Sequence, residues 1–261
     1  MPNPIPMEVA SSLARAAGEV IRKNFSSNMA KEWKDERSPV TATDLLVNEM
    51  VLKKLRSCYP TCSILSEEGN DCLENSDNVW ICDPVDGTHN FAHGIPTATF
   101  ALALIQNGEP VLGIIYDPFL DRMWSAEKGK GAYVNGKRIT VSKHASLKSA
   151  LIGMGKMKKV FNFFPAMEEG YDKGISFITG LSTHYMAGLV AQGEFAASFF
   201  GGRPPHDMAA SAIIVREAGG VVTDLHGNVP KRYDTEMDGQ LCSNGILHEE
   251  LLSLIQSGKI S

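Results

Sequence analysis

No stretch of this 261-residue chain approaches the roughly 20 consecutive apolar residues that a membrane-spanning helix needs, so no membrane partner is expected. Runs of five or six basic residues are also missing, and the formal net charge is -5. Nucleic-acid backbones are held by clustered Lys and Arg, so a nucleic-acid polymer is not an expected partner. The short group Lys156, Lys158 and Lys159 reads as a solvated helix face. Cysteine is sparse. Cys58, Cys62, Cys72, Cys82 and Cys242 are odd in number and show no CxxC spacing. That pattern excludes a disulfide framework and does not look like a zinc site; reduced thiols fit it. Met1-Pro2-Asn3-Pro4-Ile5-Pro6 lacks the charged start and apolar core of a signal peptide, and a cytoplasmic location is the expectation. There are no internal repeats, low-complexity tracts or clear linkers.

What is present is enough for a full core: 43% of the residues are hydrophobic. The length suits one unit, 1–261, made of two joined lobes. The first lobe, 1–145, reads as α+β. Helical spacing of apolar residues predicts helices from Met7 to Phe25 and from Ala42 to Tyr59. Ser63–Leu65 is a short strand, and Gly69–Asp77 is a polar loop. After Thr88 the pattern turns to β, with strands at Thr97–Ile105, Pro110–Tyr116, Arg122–Ala126, Gly131–Val134 and Arg138–Val141. Asn135-Gly136 is a hairpin turn within this antiparallel meander. The second lobe, 146–261, alternates. Strands are predicted at Ala150–Gly153, Phe195–Phe199, Val221–Thr223 and Gln240–Cys242. Helices are predicted at Lys156–Tyr171, Ser182–Gln192, His206–Ala218 and Ile246–Ile255. Ligands tend to sit where such lobes meet.

The most informative string is Trp80-Ile81-Cys82-Asp83-Pro84-Val85-Asp86-Gly87-Thr88. A buried strand runs into two acids three positions apart. Pro84 fixes one backbone angle between them, and Gly87 frees another just after. Two carboxylates, the Val85 carbonyl, a glycine amide and a hydroxyl can hold a hard divalent cation, which wants oxygen ligands. The same strand end can seat a phosphate. Asp-Pro and Asp-Gly are also ordinary turn dipeptides.

Other acids bear on the choice. Glu67 and Glu68 follow the Ser63–Leu65 strand; if that strand neighbours the Trp80 strand, Glu67 converges with Asp83 and Asp86. On their own they read as a solvated loop. Asp207 opens a helix after Gly201-Gly202-Arg203-Pro204-Pro205-His206, where the helix dipole alone accounts for an acid. Thr41-Ala42-Thr43-Asp44 fits a capping box, which also holds the Asp44 carboxylate in place. His89 and His93 read as loop residues, because hard-cation sites favour oxygen.

Together these segments resemble the inositol monophosphatase family. Trp80 through Phe91 is similar to its first signature. Asp207-Met208-Ala209-Ala210 through Glu217-Ala218-Gly219-Gly220-Val221 is similar to its second. Ser38 through Asp44 and Ser66-Glu67-Glu68 fall in the family's order. The resemblance implies a layered α-β-α-β-α sandwich, Mg²⁺-dependent hydrolysis of a small-molecule phosphate monoester, inhibition by lithium and a homodimer. It implies that Glu67, Asp83 and the Val85 carbonyl hold one Mg²⁺. Asp83, Asp86 and Asp207 would hold a second, and a third would sit near Glu67. The Gly87 and Thr88 amides would meet phosphate oxygens, with Asp86 also at the substrate. Thr88, bonded to Asp44, would activate the attacking water, with Glu68 in the catalytic group.

Departures from the family's pattern concern the leaving group. His206 stands where many members have Trp, and Phe199-Phe200-Gly201-Gly202-Arg203 contains no acid. Gly180-Leu181-Ser182-Thr183 replaces an Arg-Ser-x-Gly type segment. Arg203 and His206 are therefore candidate substrate residues. Inositol monophosphate is the leading substrate; 3′(2′),5′-bisphosphate nucleotides, fructose 1,6-bisphosphate and histidinol phosphate are alternatives. A family member retained as a regulatory subunit is the alternative of another class.

Overall fold

The structure, a computed structural model, describes residues 5–26, 32–35, 38–73, 76–155 and 163–256. Lys156, Lys158 and Lys159 lie outside them. The chain opens with α1 (Pro6–Asn24), whose Val9, Ala10, Leu13, Ala14, Ala17 and Ile21 form one buried stripe at helical spacing. A hairpin, β1 (Glu32–Asp35) and β2 (Ser38–Val40), leads to α2 (Ala42–Cys58).

Seven strands then form one sheet. They are β3 (Ser63–Ser66), β4 (Asn78–Asp86), β5 (Thr99–Gln106), β6 (Glu109–Asp117), β7 (Arg122–Glu127), β8 (Gly131–Val134) and β9 (Lys137–Ile139), in that spatial order. β3 runs parallel to β4, and every later neighbour is antiparallel. Asn135 and Gly136 both adopt positive φ, 47° and 76°, as the predicted two-residue turn requires. Side chains alternate between the faces. Trp80, Cys82, Phe100, Leu102 and Ile114 pack on α1 and α2, whereas Val79, Ile81, Ala101, Ala103, Ile115 and Trp124 face the other way. Burial on both faces explains why these strands read as nearly continuous apolar runs.

Between β4 and β5 lies α3 (Thr88–Ala92), a short helix that was not predicted, ahead of the strand expected from Thr97. Gly87 at φ +89° turns the chain into it. The second half contributes β10 (Leu151–Met154), α4 (Phe164–Asp172), β11 (Ser176–Thr179), α5 (Thr183–Ala191), β12 (Ala197–Phe200), α6 (Ala209–Glu217), β13 (Val221–Thr223), β14 (Gln240–Ser243) and α7 (His248–Gln256). Its five strands are ordered β11-β10-β12-β14-β13. β11 was not predicted. The described part of the helix expected at Lys156–Tyr171 starts only at Phe164, with Pro165 in its first turn. The helix expected at His206–Ala218 is divided. Pro205–Asp207 forms a 3₁₀ turn, and Met208, at φ -134°, separates it from α6.

α5 and α6 lie between the two sheets and share one core with both. α4 and α7 cover the outer face of the five-stranded sheet. The layers are therefore α-β-α-β-α, as the resemblance implied. Among the described residues no helix is long and apolar enough to cross a membrane.

Candidate active site

The site forms at the C-terminal ends of β3 and β4. Ser66 pairs with Cys82, so Glu67 leaves β3 beside Asp83, and its N–H donates to the Cys82 carbonyl at 3.2 Å. Residues three apart on a regular strand face opposite sides. Here the pairing slips: Asp83 is opposite Ala101 and Asp86 opposite Thr99, so three steps on β4 match two on β5. This bulge at Pro84-Val85 brings both acids to the side facing α5. Pro84 has no N–H to give the ladder, and the Val85 N–H donates to Asp83 Oδ1 at 3.2 Å.

Asp86 is received by the start of α5. Its Oδ2 accepts from Ser182 Oγ (2.6 Å), the His184 N–H (2.7 Å) and Thr99 Oγ1 (3.2 Å), and its Oδ1 accepts from the Thr183 N–H (3.2 Å). A helix N-terminus favours a carboxylate. Asp44 is held from the other side. It accepts from the Thr41 N–H at 2.9 Å and from the Thr41 hydroxyl, the predicted capping box. Its other oxygen faces Thr88 Oγ1 at 3.0 Å, and the same hydroxyl lies 2.8 Å from the Val85 carbonyl. The 3₁₀ turn that carries Asp207 packs against β4.

The sequence profile of the inositol monophosphatase family matches residues 6–259. The chain belongs to the inositol monophosphatase family. It is 34% identical to the "Fructose-1,6-bisphosphatase/inositol-1-monophosphatase" of Thermotoga maritima, over 83% of this chain and 82% of that one. It is 33% identical to inositol monophosphatase 1 of Bos taurus, over 85% and 84%. The solved structure of an IMPase from Thermotoga maritima superposes at a TM-score of 0.87 with 31% identity, covering 96% of each chain. Members of this family are phosphatases that hydrolyse phosphoric monoesters.

The electrostatics suit the family's metal dependence. Asp83 is buried, and its carboxyl is pushed well above its ordinary value, first by burial and then by the charges of Glu67, Asp86, Asp207 and Asp44. Every one of these influences acts in the same direction. Such a cluster of hard oxygen donors fits a divalent cation. Asn48, one turn beyond Asp44 with its Nδ2 toward Gly69, has a buried Oδ1 without a hydrogen-bond partner among the described residues. Burial also pushes the Asp44 carboxyl up, opposed by its bonds from Thr41 and Thr88.

Of the residues predicted for the site, Asp44, Glu67, Asp83, Val85, Asp86, Gly87, Thr88 and Asp207 come together through these contacts and influences. Glu68 follows Glu67 in the same turn and is half-buried. His206 is half-buried next to Asp207. Arg203 is exposed, with Nη1 3.3 Å from Glu236 and Nε 3.7 Å from Asp238. Sequence reasoning missed the donors around Asp86, namely Thr99, Ser182 and the amides of Thr183 and His184. Ser182 alone carried a signal, as the cap of a helix: its Oγ accepts the Tyr185 N–H at 3.1 Å.

Proposed function

We propose that the protein is an Mg²⁺-dependent phosphatase of a small-molecule phosphate monoester, with inositol monophosphate as its leading substrate. The observation that carries this reading is the gathering of Asp83, Asp86 and the Asp44–Thr88 pair at one strand end, with Glu67 and Asp207 bearing on it. Glu67, Asp83 and the Val85 carbonyl would hold one ion, and Asp83, Asp86 and Asp207 a second; a third would belong near Glu67. Bound there, Mg²⁺ would offset the charge of the phosphate dianion and make the attacking water more acidic.

The chain's own groups do the positioning. The Gly87 and Thr88 amides at the start of α3 orient phosphate oxygens. The water gives its proton to Thr88 Oγ1 while the Thr88 hydroxyl proton passes to Asp44. Glu68 completes the proposed catalytic group. Asp86 also meets the substrate, and Arg203 and His206 flank the leaving group. Arg203 loses little by turning to a ligand, because exposed ion pairs are worth roughly 0–1 kcal/mol. The assembly is a homodimer in this reading, and lithium inhibits by competing at Asp83, Asp86 and Asp207.

Phosphate release by the purified protein tests the proposal. The panel is inositol monophosphate, fructose 1,6-bisphosphate, a 3′(2′),5′-bisphosphate nucleotide and histidinol phosphate, each with Mg²⁺ and with chelator. Release from inositol monophosphate that needs Mg²⁺, is abolished in Asp86→Asn and Asp207→Asn and falls in millimolar lithium is the expected result. Equal release with chelator, or near-normal activity in either folded variant, overturns it.

A further inference from the structure

His184 stands between the two acid-bearing segments. It is the second residue of α5 and is fully buried. Its N–H donates to Asp86 Oδ2 at 2.7 Å. Its ring bonds a different segment, with Nε2 2.7 Å from the carbonyl of His206, the residue immediately before Asp207. Nδ1 lies 2.6 Å from Ser211 Oγ, on the first turn of α6 and four residues past Asp207. A carbonyl only accepts, so Nε2 carries the ring proton, and Nδ1 accepts from the Ser211 hydroxyl. One residue thus ties Asp86 through its backbone to the segment on both sides of Asp207 through its side chain. These acids lie 121 positions apart in the chain.

We infer that His184 is a positioning residue that sets the spacing of Asp86 and Asp207, and with it the affinity of the cation they share. The inference rests on the metal site proposed above. A different role is conceivable on distance alone, since ligand atoms of Asp83, Asp86 and His184 lie within 4.8 Å of one another. Both ring nitrogens are already engaged, however, one as donor and one as acceptor. A ring that coordinated the cation would have to give up the His206 carbonyl or the Ser211 hydroxyl. Hard cations favour oxygen in any case. The imidazole is therefore a brace behind the carboxylates. Groups that orient metal ligands in this way change metal affinity by about 10–100-fold when removed.

The test is Mg²⁺ binding to the full chain by calorimetry, with thermal melts and phosphate-release kinetics alongside. His184→Leu keeps bulk and removes both ring bonds. His184→Gln keeps a donor for the His206 carbonyl. The expected result is an Mg²⁺ affinity about 10–100-fold weaker in His184→Leu and largely recovered in His184→Gln. The Mg²⁺ needed for half-maximal rate should rise in step, with KM for the ester at saturating Mg²⁺ within about threefold. A folded His184→Leu that binds Mg²⁺ like the wild type overturns the brace, whatever its melting temperature. His184→Gln binding as weakly as His184→Leu overturns it in favour of a ligand role. Should His184→Leu not fold, Ser211→Ala removes only the donor to Nδ1. It should weaken Mg²⁺ about 2–10-fold, the worth of one hydrogen bond, and unchanged affinity there overturns the brace. Asp207→Asn separates the two levels: undiminished Mg²⁺ binding in that variant overturns the underlying site as well.

Discussion

Replacing Thr88 with Val keeps the shape of the side chain and removes one hydroxyl. That hydroxyl lies 3.0 Å from Asp44 Oδ1 and 2.8 Å from the Val85 carbonyl, and it has one proton for the two acceptors. Asp44 keeps its bonds from Thr41 in the variant, so the fold should survive. A hydrogen bond to a charged group contributes about 1.5–3 kcal/mol, and the half-exposed position puts the loss near ~1.5 kcal/mol. For a chain of this size that lowers Tm by about 3–6 °C. The kinetic loss should be much larger. Removing a general-base relay typically lowers kcat by about 10²–10⁴-fold. At ~1.4 kcal/mol per decade this is roughly 3–5 kcal/mol of transition-state stabilisation. KM should change little, because the Gly87 and Thr88 amides remain. Thr88→Ser should retain activity within about tenfold, since the proton path is kept. Asp44→Asn combined with Thr88→Val should be no slower than either alone, as members of one relay are not additive. Steady-state phosphate release and a thermal melt measure all of this. A Thr88→Val enzyme with kcat within threefold of the wild type refutes the relay.

Gly87→Ala should lower the urea midpoint sharply. A Cβ at Gly87 would lie 3.0 Å from Ser182 Cβ while φ stays at +89°. The left-handed backbone costs about 1–2 kcal/mol and the crowding about 1–3 kcal/mol more; an unchanged midpoint counts against both. His248 is buried, with Nδ1 2.8 Å from Ser243 Oγ and Nε2 3.1 Å from Thr223 Oγ1. Burial pushes its pKa below the ordinary 6.5, against the weaker pull of Glu249. The unfolded chain then takes up the proton more readily, so this stabilisation is complete above pH about 6.5 and is lost as pH falls. Urea unfolding between pH 7.5 and 5.0 should show a larger loss in the wild type than in His248→Gln, and equal losses reject the reading. Arg203→Ala should raise KM for the ester with kcat unchanged and shift stability by less than about 0.5 kcal/mol; an unaltered KM removes Arg203 from the leaving-group site.

What the sequence made legible was local. The capping box at Thr41 and Asp44 spans four consecutive residues, and the structure closes it as read. The apolar stripe of α1 and the Asn135-Gly136 turn are of the same kind. The bulge at Pro84-Val85 was harder. A spacing of three in a strand argues against two acids on one side, and only the proline hinted that the ladder gives way there. α3 was missed because five residues show too little of a helical period, and β11 because Ser176–Thr179 is a short, half-exposed edge strand. The bonds that hold Asp86 could not be read at all. Ser182, Thr183 and His184 lie 96–98 positions away, and nothing local in either segment announces the other.

The shared middle layer has a consequence for synthesis on the ribosome. The inner face of the seven-stranded sheet, with Val79, Ile81, Ala103, Ile115, Trp124 and Ala126, is fully translated once Ile139 has been added. Its cover, α5 and α6, is complete only at Glu217, about 80 residues later. At ~5–20 residues per second that face waits on the order of 4–16 s without its partner. A nascent chain stalled in that interval presents a broad apolar sheet surface, which makes it a natural client for a chaperone.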